Sequence, residues 1–208
     1  FGDTTGGIHR LDVTNQATLS GGRVDNWTRT EIYQMPSDQM FFTRPLTVPA
    51  VFDGVNYTWA LALGSGDRAN VTEWDGVTNR FYVVLDVDDT TTRGEVNLTR
   101  IDLGDSASGT DYLDPSGGSY GWYLVLRQDE KVNADAIVAG EIVLFPTFQP
   151  DVAGSGGDGG DGGDGGVPAV DTKIVHVPAG CLRVAPGAEI EAEAHALPRV
   201  VGKLEDSR

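Results

Sequence analysis

The chain has 208 residues, of which 31 are acidic and 15 basic, for a net charge of −16. A surface this acidic repels phosphate backbones and anionic headgroups at long range, which argues against a nucleic-acid partner. The longest apolar runs, AIVAG and EIVLFPTF, are far too short to span a membrane, and the single cysteine, Cys181, excludes an internal disulfide and a multi-cysteine zinc site.

Hydrophobic residues make up 39% of the chain, and its 28 glycines are about twice the average share. Part of that excess is the run GSGGDGGDGGDGG, Gly154–Gly166, a flexible linker by composition. No basic-then-apolar signal segment opens the sequence, so an exported parent is expected to carry one upstream of Phe1. Four Asn-x-Thr triplets, at Asn26, Asn56, Asn70 and Asn97, fit glycosylation in a eukaryotic secretory route, but such triplets also arise by chance in Thr-rich β segments.

FGDTTGGIHRLDV reads as the end of one strand, a Gly-rich turn at Asp3–Gly6, and a strand over Ile8–Val13. A strand follows at Trp27–Gln34, then a proline-bounded extended segment at Arg44–Pro49. Val51–Phe52 and Tyr57–Leu63 flank an Asp53-Gly54 turn and form a hairpin. Gly64–Asn79 reads as a long polar loop, Arg80–Asp86 as a strand, and the turn-rich Asp86–Gly121 as holding one strand over Glu95–Leu103. GWYLVL is another apolar strand, and Ala136–Val138 with Glu141–Phe145 another hairpin. Beyond the linker come strands at Lys173–Val177 and Cys181–Val184. Glu189–Leu197 has helical composition but strict alternation, and is assigned to strand because all that precedes it is β.

One unit occurs twice: an apolar strand runs into Gly-Asp, a loop follows, and a second strand ends in Leu-Asp. The copies are Gly2-Asp3 with Leu11-Asp12, and Gly66-Asp67 with Leu85-Asp86. Repeated hairpins without helical periodicity predict an all-β chain forming part of a β-propeller. At about four strands per blade, residues 1–150 supply roughly three blades. Residues 151–167 form the linker, and 168–208 are strands that could help close the ring. A closed propeller needs about four to eight blades. The remainder is therefore expected from other segments of the parent polypeptide, including the start of the strand that Phe1 enters midway.

The succession GDTTGGIHRLDV, LALGSGDRAN, NRFYVVLD, LTRIDL, GWYLVL and EKVNADAIVAGEIVLFPTFQP resembles the C-terminal propeller of the PilY-type pilus-tip adhesins of bacterial type IV pili, over about residues 1–150. His9 stands where that family typically has an aromatic, and the GGD linker replaces a longer apolar continuation. The resemblance implies a seven-bladed modified propeller and a separate N-terminal adhesive domain. It also implies an extracellular place at the pilus tip, and contacts with minor pilins and with host or abiotic surfaces. A calcium loop is implied immediately upstream of Phe1, outside this sequence.

Within the chain, Asp86, Asp88 and Asp89 are the candidate metal ligands. Only Asp86 and Asp88 keep alternate spacing and no suitably placed glycine follows, which favours a solvated acidic turn. Asp158, Asp161 and Asp164 lack the apolar anchor of a calcium-binding nonapeptide. His9, His176 and His195 are far apart with no Gly-x-Ser-x-Gly elbow, so no active site is assigned; His9 reads as a surface or blade-interface residue. Asp67 could pair with Arg68, with Arg80 near in sequence. Trp59 and Trp122 sit in apolar strands and are core candidates, whereas Trp74, between Glu73 and Asp75 in a polar loop, is the candidate for partner contact. The expected function is non-catalytic: a tip adhesin or assembly factor serving pilus biogenesis, attachment and motility. Its competitors are a fragment of a quinone-dependent propeller dehydrogenase, whose blade-docking motif is not visible, and a lectin-like propeller.

Overall fold

A computed structural model describes residues 1–13, 27–52, 56–87, 89–101, 113–114, 118–139, 142–150 and 169–176. In the first sheet, β1 (Gly7–Asp12) pairs antiparallel with β2 (Thr28–Gln34), with a bulge between Ile8 and His9. Phe1 and His9 exchange backbone hydrogen bonds of 2.8 Å on the other edge of β1. The intervening turn forms because Asp3 Oδ1 accepts the N–H groups of Thr5 and Gly7 at 2.8 and 2.9 Å. Gly6 is required there: its φ is +87°, and a Cβ would lie 2.6 Å from the carbonyl oxygen of Pro36.

The central sheet contains β3 (Leu46–Phe52), β4 (Asn56–Gly64), β5 (Thr78–Asp86), β6 (Thr99–Ile101), β7 (Leu113–Asp114) and β8 (Ser119–Gln128). Its body is the antiparallel order β3-β4-β5-β8; β6 lies parallel to β8 at the far edge, and β7 also pairs with β8. Pro49 is accommodated because β3 is an edge strand, where a missing donor is tolerated.

The third sheet holds β9 (Lys131–Val132), β10 (Ile137–Ala139), β11 (Ile142–Gln149) and β12 (Ala169–His176). β9 and β10 both pair with β11, while β12 runs antiparallel to it from Ile142↔His176 to Gln149↔Ala169. The Gly- and Asp-rich segment therefore connects two neighbouring strands of one sheet.

The three sheets stack face to face about β5. Phe81, Val83 and Leu85 pack toward the third sheet, with Trp122, Leu124, Val143 and Phe145; the Phe81 and Phe145 rings are parallel within 3°, their centroids 3.8 Å apart. Tyr82 and Val84 face the first sheet, among Ile8, Ile32, Met35 and Phe41. Burial on both faces explains why FYVVL is continuously apolar rather than alternating. Tyr33 is completely buried and its hydroxyl donates to the Leu85 carbonyl at 2.8 Å, tying the first sheet to the second; burial raises its pKa far above the ordinary tyrosine range. The molecule is all-β and propeller-like: a stack of three blade-like sheets with no closed barrel among the described residues.

The predicted strand over Glu95–Leu103 is corrected. Glu95–Asn97 form a 3₁₀ turn, and among the described residues of that span strand structure covers Thr99–Ile101. Local bonding wins there: Gly94 N–H donates to Asn97 Oδ1 at 3.0 Å, and the Glu95 carboxylate accepts the Tyr82 hydroxyl at 2.6 Å and forms an ion pair with the Arg80 guanidinium at 3.0 Å. The strands predicted at Cys181–Val184 and Glu189–Leu197 lie outside the described residues.

Candidate functional site

The loop between β4 and β5 carries Trp74, 44% exposed and flanked by the exposed residues Glu73 and Asp75. Its first turn is set by Asp67. Oδ1 accepts the N–H groups of Ala69 and Asn70 at 2.9 and 3.3 Å, and Oδ2 accepts Asn70 Nδ2 at 2.9 Å. The Asn70 side chain and these backbone donors hold the Asp67 carboxyl below the usual carboxylate range. Asp67 is thus spent on its own turn rather than on Arg68, and Arg80 pairs with Glu95 instead.

The other side of the loop is gripped by three consecutive charged residues at the junction of β8 and β9, the last of them opening β9, each at most 1% exposed: Asp129, Glu130 and Lys131. Asp129, at φ 59°, takes the Gly76 N–H on Oδ1 at 2.6 Å and donates its own N–H to the Val77 carbonyl at 3.0 Å. Glu130 faces the third sheet, accepting the Thr147 hydroxyl at 2.6 Å and the Lys173 ammonium at 3.0 Å on Oε1, and the Arg127 N–H at 3.0 Å on Oε2. Lys131 turns back into the loop, donating to the carbonyls of Asn70 and Glu73 at 2.9 and 2.7 Å and lying 3.3 Å from Asp75 Oδ2. Sequence reasoning missed this socket, although three successive charges at the junction of two β segments were its signal.

A concavity of about 480 Å³ opens between the first and central sheets, with Leu11, Pro45, Trp59 and Leu61 on its walls and His9 and the Arg10–Asp86 pair also lining it. Here one prediction is corrected and another narrowed. Trp59 is 53% exposed rather than core, because β4 extends past the cover of the first sheet, whereas Trp122 is buried as expected. Of the two readings of His9, surface or blade interface, the surface one fails: His9 is 2% exposed and lines the space between two sheets, the bulge in β1 turning it inward, where Nε2 lies 2.7 Å from Asp3 Oδ2 and the ring packs 5.0 Å from that of Phe1. Burial disfavours ionisation of Asp3, but the His9 contact and the Thr5 and Gly7 N–H groups outweigh it and hold the carboxyl well below the ordinary range.

Asp86, at the end of β5, lies against Arg10 at 2.6 Å, and beyond the strand Asp89 pairs with Arg93, whose guanidinium also lies 4.0 Å from the centre of the Tyr120 ring. The Arg93 contact lowers the Asp89 pKa. Asp88 lies outside the described residues, as do Asp158, Asp161, Asp164, Cys181, His195 and the side chain of His176. Among the described residues, no group of three or more His, Cys, Asp or Glu side chains is arranged to hold a metal ion. No described helix is long and apolar enough to cross a membrane.

The architecture defines a blade-built, propeller-like β protein whose described polar clusters are largely internally paired. No protein-family model matches the chain, and no curated protein matches it in sequence. Among solved structures it is similar to the crystal structure of the Pseudomonas aeruginosa PilY1 C-terminal domain, with a TM-score of 0.54 and 17% identity. The alignment covers 72% of this chain and 40% of that structure's chain, so the likeness is one of fold over part of the PilY1 domain.

Proposed function

We propose that the chain is the propeller segment of a type IV pilus-tip adhesin, acting by binding rather than by chemistry. In this reading it is extracellular, docks on minor pilins at the pilus tip, and supports pilus biogenesis, surface attachment and motility. The carrying observation is the fold likeness to the PilY1 C-terminal domain over 72% of the chain, which stands beside the ordered motifs of residues 1–150 that resemble the PilY-type family. The rigidly anchored β4–β5 loop with Trp74 is the proposed contact surface, since a loop held by the core meets a partner without first paying an ordering cost.

The test is affinity capture of minor pilins by the purified chain, alongside a Trp74→Ala variant. Specific capture that weakens about tenfold or more in the variant, with unchanged thermal stability, supports the reading. Absence of any pilin binding would sink it. A quinone co-purifying with the chain would replace it by the dehydrogenase alternative.

A further inference from the structure

We propose that the Gly66–Val77 loop is a cation-binding loop whose cation is the ε-ammonium of Lys131. The loop and its Trp74 are then assembled without a bound metal ion. Three oxygens converge on Nζ: the carbonyls of Asn70 and Glu73 at 2.9 and 2.7 Å, and the Asp75 carboxylate at 3.3 Å. Carbonyl and carboxylate oxygens from several positions of one loop, here 70, 73 and 75, are the kind of donor that hard cations take from acidic loops. An ammonium carries three N–H donors, and here each has an oxygen within reach.

Burial makes the arrangement obligatory. The Lys131 side chain is 0% exposed, and a charge so enclosed is tolerated only when it is paired and hydrogen-bonded. The loop has also been shaped to admit the lysine stem. At Gly66, φ is +147° and a Cβ would lie 2.7 Å from Lys131 Cβ, so a side chain there would collide with the incoming lysine. The neighbouring Asp129 fixes the far end of the loop at Gly76 and Val77, leaving the ammonium to organise its middle.

Loop order can be read in the 208-residue chain alone, independently of any pilin. Arg68 is exposed within the loop, so tryptic cleavage after it, relative to cleavage after Arg80 in β5, reports opening of the loop against opening of the whole sheet. Lys131→Met, which keeps most of the stem and removes the charge, is expected to raise that ratio about tenfold or more. Lys131→Ala removes three carbons and the nitrogen, and propylammonium supplies those same atoms; it is expected to restore protection, whereas 1-propanol is not. Calcium and a chelator are expected to leave the wild-type ratio unchanged.

An unchanged ratio in Lys131→Met would overturn the proposal. So would rescue by 1-propanol equal to that by propylammonium, which would show cavity filling rather than a cation site. Loss of wild-type protection on chelation would place a metal ion in the loop instead. If Lys131→Ala does not fold, the Lys131→Met ratio decides alone.

Discussion

The stacked pair Phe81 and Phe145 is the sharpest probe of how the sheets are held together. Both rings are fully buried, with centroids 3.8 Å apart, and they join the central sheet to the third. Truncating Phe145 to alanine removes on the order of 150 Å² of apolar surface from the interior. At about 25 cal/mol per Å² that is nearly 4 kcal/mol, inside the roughly 3–5 kcal/mol typical of core Phe→Ala changes. A domain of ordinary stability, about 5–15 kcal/mol, would lose a large fraction of it.

Urea unfolding of the wild type, Phe81→Ala, Phe145→Ala and the double variant closes a thermodynamic cycle. Each single variant should cost about 3–5 kcal/mol, and the double less than their sum by about 1 kcal/mol, the coupling of a direct aromatic contact. Strict additivity, or a cost below about 1 kcal/mol for Phe145→Ala, would mean that the third sheet does not pack on β5 as described.

Trp59→Ala is expected to change stability by less than about 1 kcal/mol, because the ring is 53% exposed, whereas Trp122→Ala should cost about 3–5 kcal/mol; thermal unfolding of the two separates them. Arg93→Lys loses the planar pairing with Asp89 and the packing on Tyr120, and should lower the urea midpoint by the equivalent of about 1–2 kcal/mol. Asp3, Asp67 and Asp89 all have folded pKa values below their unfolded ones, so these three groups bind fewer protons in the folded state than in the unfolded one. Their stabilisation is present above the unfolded carboxylate value of about 4 and is lost as the pH falls below it. A chemical-denaturation series across that range should show the decline, and Asp89→Asn should flatten part of it.

The strand-rich character of the described residues was legible because it rests on local chemistry. FYVVL and GWYLVL favour extended backbone through β-branched and aromatic side chains. Asp3 with Gly6, and Gly66 with Asp67, dictate turns through side-chain oxygens and permissive backbone. Such signals act within a few residues and need no knowledge of the fold. The short strand Lys131–Val132 was not legible, since two residues carry no periodicity and are strand only because Thr147 and Phe148 lie opposite.

The fate of individual charges and rings was decided at long range. Asp86 meets Arg10 across 76 positions and Lys131 meets Asn70 across 61, so a reading of neighbours along the chain could describe Asp86 only as an acidic turn residue or a metal ligand. Trp59 and Trp122 sit in equally apolar strands, yet one is half in solvent and the other is enclosed, because exposure depends on how far the first and third sheets overlap the central one. Local propensity thus determined where the backbone extends and turns. Sheet stacking determined which side chains lose water, and with it which charges must find partners.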